Sequence, residues 1–402
     1  MALNLGANAI GKLYLGSTQI NKAYLGTTVL FSGGFSPSAL FAGGTEGAWF
    51  DPSDIDTLFQ NSAGTTSVTA SGQLVGLRLD KSKGLVPGAE VVTNGGFDTN
   101  LNNWAARPAG VSISMSGGGM KVQRDVDGAT PYAKQAITLV VGKRYTVRYT
   151  VLAISVAAGK FPRLIVNGGD AVGPAITVAG DYSLSFVATS TSRSIYLSSD
   201  LDGTSVDGDF VVWDNVSIRE LPGNHATQAT AGLTSRYQVS PFGSEYDGND
   251  DFSAQPFKPT LAGTIAVRMR SDTASRVAFG SQPASNGRCY IGLASDGSLA
   301  GGIGEQATSV IKGSADIRGD LVTGILTWDG TTVSLYQDGV SVYSAAQLGA
   351  VNTTVAMHEG ALNNNGTAAA FHKGRIAQSI VLDRVMTAAE IASLTNLWST
   401  IS

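Results

Sequence analysis

The run Tyr145-Thr146-Val147-Arg148-Tyr149-Thr150-Val151 alternates strictly. In a strand this places Tyr145, Val147, Tyr149 and Val151 on a buried face and Arg148 on the opposite one. A guanidinium on such a face offers N–H donors in a fixed fork to whatever lies against it. Arg148 is therefore a candidate ligand residue.

Catalytic patterns are harder to find. Retaining glycoside hydrolysis needs two carboxyl groups about 5–5.5 Å apart. Glu46, Glu245, Glu305, Glu359 and Glu390 are scattered, without acidic partners at a spacing that would make such a pair. His225, His358 and His372 fall at no metal-ligand spacing, and no Gly-x-Ser-x-Gly elbow occurs. Gly301-Gly302-Ile303-Gly304 is glycine-rich but precedes no helix pattern, so it is not read as a phosphate cradle. Asp247, Asp250 and Asp251 could offer hard oxygen ligands, but the run reads first as a turn.

The 402 residues carry 50 glycines and only 14% charged residues, in many short alternating runs, which points to an all-β chain. Aromatics at 8% suffice to build cores. The net charge is −4 with no basic cluster, so no nucleic-acid partner is expected. Cys289 is the single cysteine, which excludes an intrachain disulfide. No apolar run approaches the ~20 residues of a membrane span, so no membrane insertion is expected.

Several elements can be placed. Residues 10–28 hold a ten-residue repeat, Ile-x-Lys-x-Tyr-Leu-Gly-[Ser/Thr]-Thr, with Tyr14 and Tyr24 at matched positions. Each copy reads as a short strand ending at a glycine turn, together a small β-meander. About 30 residues cannot bury a useful core alone, so this piece needs a partner. In Gly263–Arg270, Ile265, Val267 and Met269 share one strand face. Asp329-Gly330 and Asp338-Gly339 are two hairpin signals. Thr387 with Glu390 forms a capping box ahead of Ile391, Leu394 and Leu397, marking one helix.

Gly76–Gly84 and Gly223–Thr230 read as the two halves of one strand and turn. Residues 85–222 between them begin and end like a complete domain. Exposed polar turns tolerate such insertions if the ends of the inserted chain lie close together. Trp104 and Trp213 are expected in the core of this inner unit.

Three resemblances follow from these residues. The 327–340 hairpin, the 381–394 stretch with its helix, Gly47-Ala48-Trp49-Phe50-Asp51-Pro52 and Tyr246–Phe252 resemble the concanavalin A-like, laminin-G-like jelly roll. Members that cut β-glucans carry a Glu-x-Asp-x-x-Glu strand, which this chain lacks. Asn94-Gly95-Gly96-Phe97-Asp98 with Trp104, and Trp213-Asp214-Asn215-Val216-Ser217-Ile218, resemble the galactose-binding-like carbohydrate-binding modules. That resemblance implies a structural calcium shared by Asp98 and Asp214. It also implies a sugar-stacking platform at Tyr132, after Pro131, with Arg148 lining the same cleft. The N-terminal repeat resembles short pieces of bacteriophage tail and virion proteins.

The reading is an all-β chain: a β-meander at 1–34, a linker at 35–44, and a laminin-G-like sandwich from 45–84 and 223–402. A jelly roll at 85–222 is inserted in that sandwich. The expected function is a structural, adhesive virion component of a tailed phage, a tail fibre or spike on the particle surface. Residues 1–34 would meet other virion proteins, the sandwiches would meet host-surface glycan, and the chain would assemble as a homotrimer. The alternatives are an exopolysaccharide-degrading enzyme and a purely structural capsid or tail decoration.

Overall fold

The computed structural model describes residues 35–126, 130–199, 208–240, 242–283, 286–305 and 310–401, and the backbone of six short strands ahead of them. Those strands pair as Asn4–Leu5 with Asn8–Ala9, Leu13–Leu15 with Thr18–Ile20, and Lys22–Leu25 with Thr28–Ser32. Among the described residues these are three antiparallel pairs, in which Leu15 meets Thr18 and Leu25 meets Thr28. The side chains of Tyr14 and Tyr24, and the docking role expected of 1–34, lie outside the described residues.

Strands between Ala105 and Glu220 form two five-stranded sheets. One runs Ala105–Arg107, Tyr132–Thr138, Ser192–Ser198, Arg163–Val166, Ala171–Val172. The other runs Val111–Ser116, Gly119–Arg124, Phe210–Glu220, Arg144–Ser155, Gly180–Val187. Between them lies a core that includes Tyr145, Val147, Tyr149, Leu164, Ile195 and Trp213. Full burial of such side chains stabilises by roughly 1.5–3 kcal/mol each. The alternation of 145–151 thus reads out as expected, and Trp104 and Trp213 are both buried. Trp104 meets Phe97 edge-on, 5.5 Å between centroids, and its Nε1–H donates to the Asn94 carbonyl at 3.1 Å.

The stretch 88–95 opens this inner sandwich as a bridged loop rather than a strand. Val91 N–H donates to the Ile218 carbonyl and Val216 N–H to the Gly95 carbonyl, both at 2.9 Å. A Cβ on Gly95 would sit 1.9 Å from the Val216 carbonyl oxygen, so only glycine permits this approach.

Strands between Gly47 and Arg78, together with those after Asn224, form an eleven-stranded and an eight-stranded sheet, the outer sandwich. Strand Gly263–Ser271 turns Ile265, Val267 and Met269 into the core between them. Ala266 faces the other way, under Leu40, Phe41 and the helix residues Ile391, Leu394 and Trp398. That helix, Ala388–Ser399, has the capping box of Thr387 and Glu390. At Asp338-Gly339 both residues take positive φ, +49° and +81°, the two-residue turn expected. At Asp329 the turn is longer. Its Oδ1 accepts from the N–H groups of Thr331 and Thr332, and only Gly330 has positive φ.

The segments on either side of 85–222 meet directly. Arg78 pairs with Ala226 and Leu77 with Thr227, antiparallel. The buried Asp80 carboxylate accepts from the N–H groups of Trp49, Ser82 and Asn224. His225 Nδ1 accepts from Asp80 N–H at 2.9 Å, which leaves Nε2–H to donate to the Leu221 carbonyl at 3.0 Å. A second contact joins the sandwiches. Ser185 N–H, on the edge strand Gly180–Val187, donates to the Ala63 carbonyl at 2.6 Å, which covers an otherwise open edge. Arg144 Nη1 donates beside it to Ser62 O and to Ser185 Oγ. Burial pulls the Arg144 guanidinium down to about 10. Among the described residues no helix is long and apolar enough to cross a membrane.

Candidate functional site

A cleft of about 760 Å³ opens on the outward face of the sheet that holds Arg144–Ser155. Its floor comes from three adjacent strands: Arg148 and Thr150, Asp181 and Ser183, and Ser217 and Arg219. The 90–96 loop forms a wall. Arg148 projects there because its neighbours Val147 and Tyr149 are buried. It is exposed and, among the described residues, has no hydrogen-bond or ion-pair partner.

The other charges are arranged in pairs. Glu90 accepts from the Ser217 hydroxyl at 2.6 Å, from Ile218 N–H at 2.8 Å and from Arg219 Nε–H at 3.0 Å. Burial pushes its carboxyl up, but the bonds from Ser217, Ile218 and Val92 and the Arg219 charge outweigh this and leave it below its usual range. Asp181 accepts from the Thr150 hydroxyl at 2.7 Å. Two cations, two carboxylates and several hydroxyl and amide groups thus face one space. Such a set can donate to and accept from a polyol without demanding net charge of it. The cleft residues that sequence reasoning missed are Glu90, Asp181, Asn215 and Arg219. Arg219 could have been found, since Ser217 and Arg219 alternate with buried Val216 and Ile218.

Tyr132 lies elsewhere. It sits on the opposite sheet, half-buried, 4.6 Å from the Tyr196 ring, with Lys134 Nζ 5.8 Å from that same Tyr196 ring. Tyr132 and Arg148 are therefore not in one cleft. The chain crosses from one sheet to the other between Thr138 and Arg144.

Asp98 is exposed in the loop after Phe97. Asp214 is half-buried in the last strand, and its two oxygens accept from the N–H and Nδ2–H of Asn215 at 2.8 and 3.1 Å. Asn215 has φ +50°, where the pairing with Arg144–Ser155 shifts register. Both are hard oxygen donors that suit calcium, although an ion at Asp214 would compete with Asn215. Among the described residues the one cluster of three acidic ligand atoms within 4.8 Å is Asp247, Asp250 and Asp251. It is built as a turn: Asp247 accepts from Asn249, and Asp251 accepts from Asp247 N–H. Burial, with Asp247 and Asp250 alongside, pushes the Asp251 carboxyl up to about 6.

Of the scattered glutamates, Glu359 is ion-paired with Arg78, Glu390 with Arg384 and Glu46 with Lys83, while Glu245 accepts from Gln238. The three histidines are all buried and uncharged near neutrality.

Comparison with known proteins assigns part of this architecture. Residues 245–392 match the family model of the concanavalin A-like lectin/glucanases superfamily. These residues are similar to concanavalin A-like domains. The strand Gly47–Phe50 belongs to the same sheet, beside Lys373–Leu382. No curated protein matches the chain. Among solved structures, the carbohydrate-binding module (CBM40) of the Ruminococcus gnavus IT-sialidase bound to α2,3-sialyllactose is 16% identical, with a TM-score of 0.30. The match covers 34% of this chain and 83% of that one. A SAP-like pentraxin from Limulus polyphemus is 13% identical over 38% and 80% of the two chains, TM-score 0.30. Trypanosoma rangeli sialidase in complex with 2,3-difluorosialic acid is 9% identical over 73% and 63%, TM-score 0.34. Similarity this low says nothing about what this chain binds.

Proposed function

We propose that the chain is a glycan-binding adhesin without catalytic activity, with its sugar site in the cleft at Arg148. The observation that carries this reading is an unpaired, exposed guanidinium in an open cleft whose other charges balance. Binding is weak at one site and gains avidity from multiple copies, by a factor of about 10²–10⁴. In this reading 85–222 is a domain inserted into 45–84 and 223–402, and Asp98 and Asp214 hold a structural calcium. The aromatic pair Tyr132–Tyr196 is a second, weaker contact surface for sugar.

The setting we propose is the surface of a tailed-phage particle. Its support is the N-terminal repeat, too short to bury a core alone, whose short hairpin strands would gain stability by adding to another chain's sheet. Residues 1–34 would dock to other virion proteins, and the protein would be a homotrimer.

Glycan-array binding of the full chain, repeated with Arg148→Ala, tests the sugar site. Loss of array signal with an unchanged melting temperature is expected. Undiminished signal in the variant would move the site away from this cleft. For the setting, phage lacking 1–34 should lose the protein, and phage keeping only 1–34 should adsorb poorly. Normal adsorption of the latter would remove the adhesive role.

A further inference from the structure

The glycine-rich stretch 301–304 cradles no phosphate, but it clears space. Strand Leu299–Gly304 lies beside Arg288–Leu293, which lies beside Arg276–Gln282, and their register sets Gly280, Tyr290 and Gly302 side by side. A Cβ on Gly302 would stand 2.3 Å from Tyr290 Cε1 and 3.0 Å from Arg288 Nε. A Cβ on Gly280 would stand 2.4 Å from Tyr290 Cβ. The tyrosine ring therefore leans over Gly302, along the sheet, with the Arg288 guanidinium carbon 5.5 Å from its centroid. Cys289 and Ile291 point into the core, so Tyr290 and Arg288 are on the face turned away from it.

A cavity of about 450 Å³ lies over this face, within the ~300–1,000 Å³ range of small-ligand sites. Arg276, Gln282, Arg288, Tyr290 and Lys312 line it, and Leu362 forms part of its wall. Three of these are cations, and among the described residues no carboxylate lines the cavity. Asp296 pairs with Lys312 from outside the lining. Both partners of that pair are about half exposed, where such contacts are weak. The cavity is thus cationic, whereas the Arg148 cleft is balanced.

We propose that this face of the outer sandwich is a second saccharide site, specific for a sugar bearing a carboxylate, such as a uronic acid unit. The Tyr290 ring supplies an apolar plane for the pyranose. Gln282 serves its hydroxyls, and the Arg276 and Lys312 charges hold the carboxylate through charge-assisted hydrogen bonds. The site is independent of the Arg148 cleft and of anything bound there.

Isothermal titration of the full chain with tetragalacturonate, cellotetraose and a heparin tetrasaccharide at low salt tests it. Tetragalacturonate should bind with salt-sensitive affinity, and cellotetraose should not compete with it. Arg276→Ala and Lys312→Ala each should weaken binding about tenfold, and Tyr290→Ala should abolish it. Lys312 is exposed and Arg276 half-buried, neither in the core, so those two variants keep the fold. Arg148→Ala should leave tetragalacturonate binding intact, which separates this site from the one above. Absence of tetragalacturonate binding, or equal binding by the Arg276→Ala, Lys312→Ala double variant, overturns the proposal. Tighter binding of the heparin tetrasaccharide overturns its assignment to carboxylate.

Discussion

Arg78 and Glu359, 281 positions apart, form an ion pair inside the outer sandwich, each 1% exposed. Arg78 also donates to Ser235 Oγ at 2.7 Å and to the Tyr246 hydroxyl at 2.6 Å. Glu359 accepts in addition from the Ser379 hydroxyl at 3.0 Å. Burial works against the Arg78 charge, and the carboxylate with Tyr246 more than restores it, so the guanidinium stays ionised. The pair joins a strand that precedes the 85–222 segment to strands that follow it.

Glu359→Gln should therefore lower unfolding free energy by roughly 3–5 kcal/mol, since it strands a buried charge. The double variant Arg78→Met, Glu359→Gln should recover part of that loss. Urea unfolding measures both. Equal loss in the single and double variants would mean that the charge is not what matters.

Removing 85–222 and joining Gly84 to Gly223 through a short glycine linker should leave a soluble protein that melts cooperatively. The Arg78–Ala226 pairing and the Asp80 bonds to Trp49 and Asn224 remain intact in that product. Calorimetry checks this. Aggregation under conditions where the full chain is soluble would show that the two sandwiches do not fold separately.

His225, His358 and His372 each have folded values near 4 instead of 6.5, with burial the largest cause. The unfolded chain then binds more protons between those limits. Stability should be full above pH 6.5 and fall as pH drops toward 4, by about 3 kcal/mol at most per histidine. Asp251, pushed up to about 6, works in the opposite sense, so the slope is best read with Asp251→Asn. Melting temperature against pH, with His225→Gln to remove one contribution, gives the answer. A flat profile from 6.5 to 4 would exclude the linkage.

If Asp98 and Asp214 share a calcium, a chelator should lower the melting temperature of the inner sandwich, because an ion bound only by the folded state stabilises it. Asp214→Ala should remove that sensitivity. A chelator without effect on the unaltered chain counts against an occupied site.

Much of the framework was legible because it is local. The alternation of 145–151 told which face Arg148 occupies, and the Thr387–Glu390 capping box marked the helix start. Alternation does not tell which sheet a strand joins, and so Tyr132 and Arg148 were assigned one cleft when they lie on opposite sheets. Glu90 was missed because its partners Ser217 and Arg219 are 127 and 129 residues away. The first Asp-Gly turn departs from expectation because the Asp329 side chain hydrogen-bonds the backbone ahead of it and holds a longer loop.

The pairing of Arg78 with Ala226 has a mechanical consequence. Tension applied between residue 35 and the C-terminal helix crosses from the 77–80 segment to the 224–227 segment through their mutual bonds. The polypeptide between them is a slack side branch while those bonds hold. A particle tethered at one end of this chain and pulled at the other would strain the outer sandwich first. The Arg148 cleft would keep its shape until the pairing sheared.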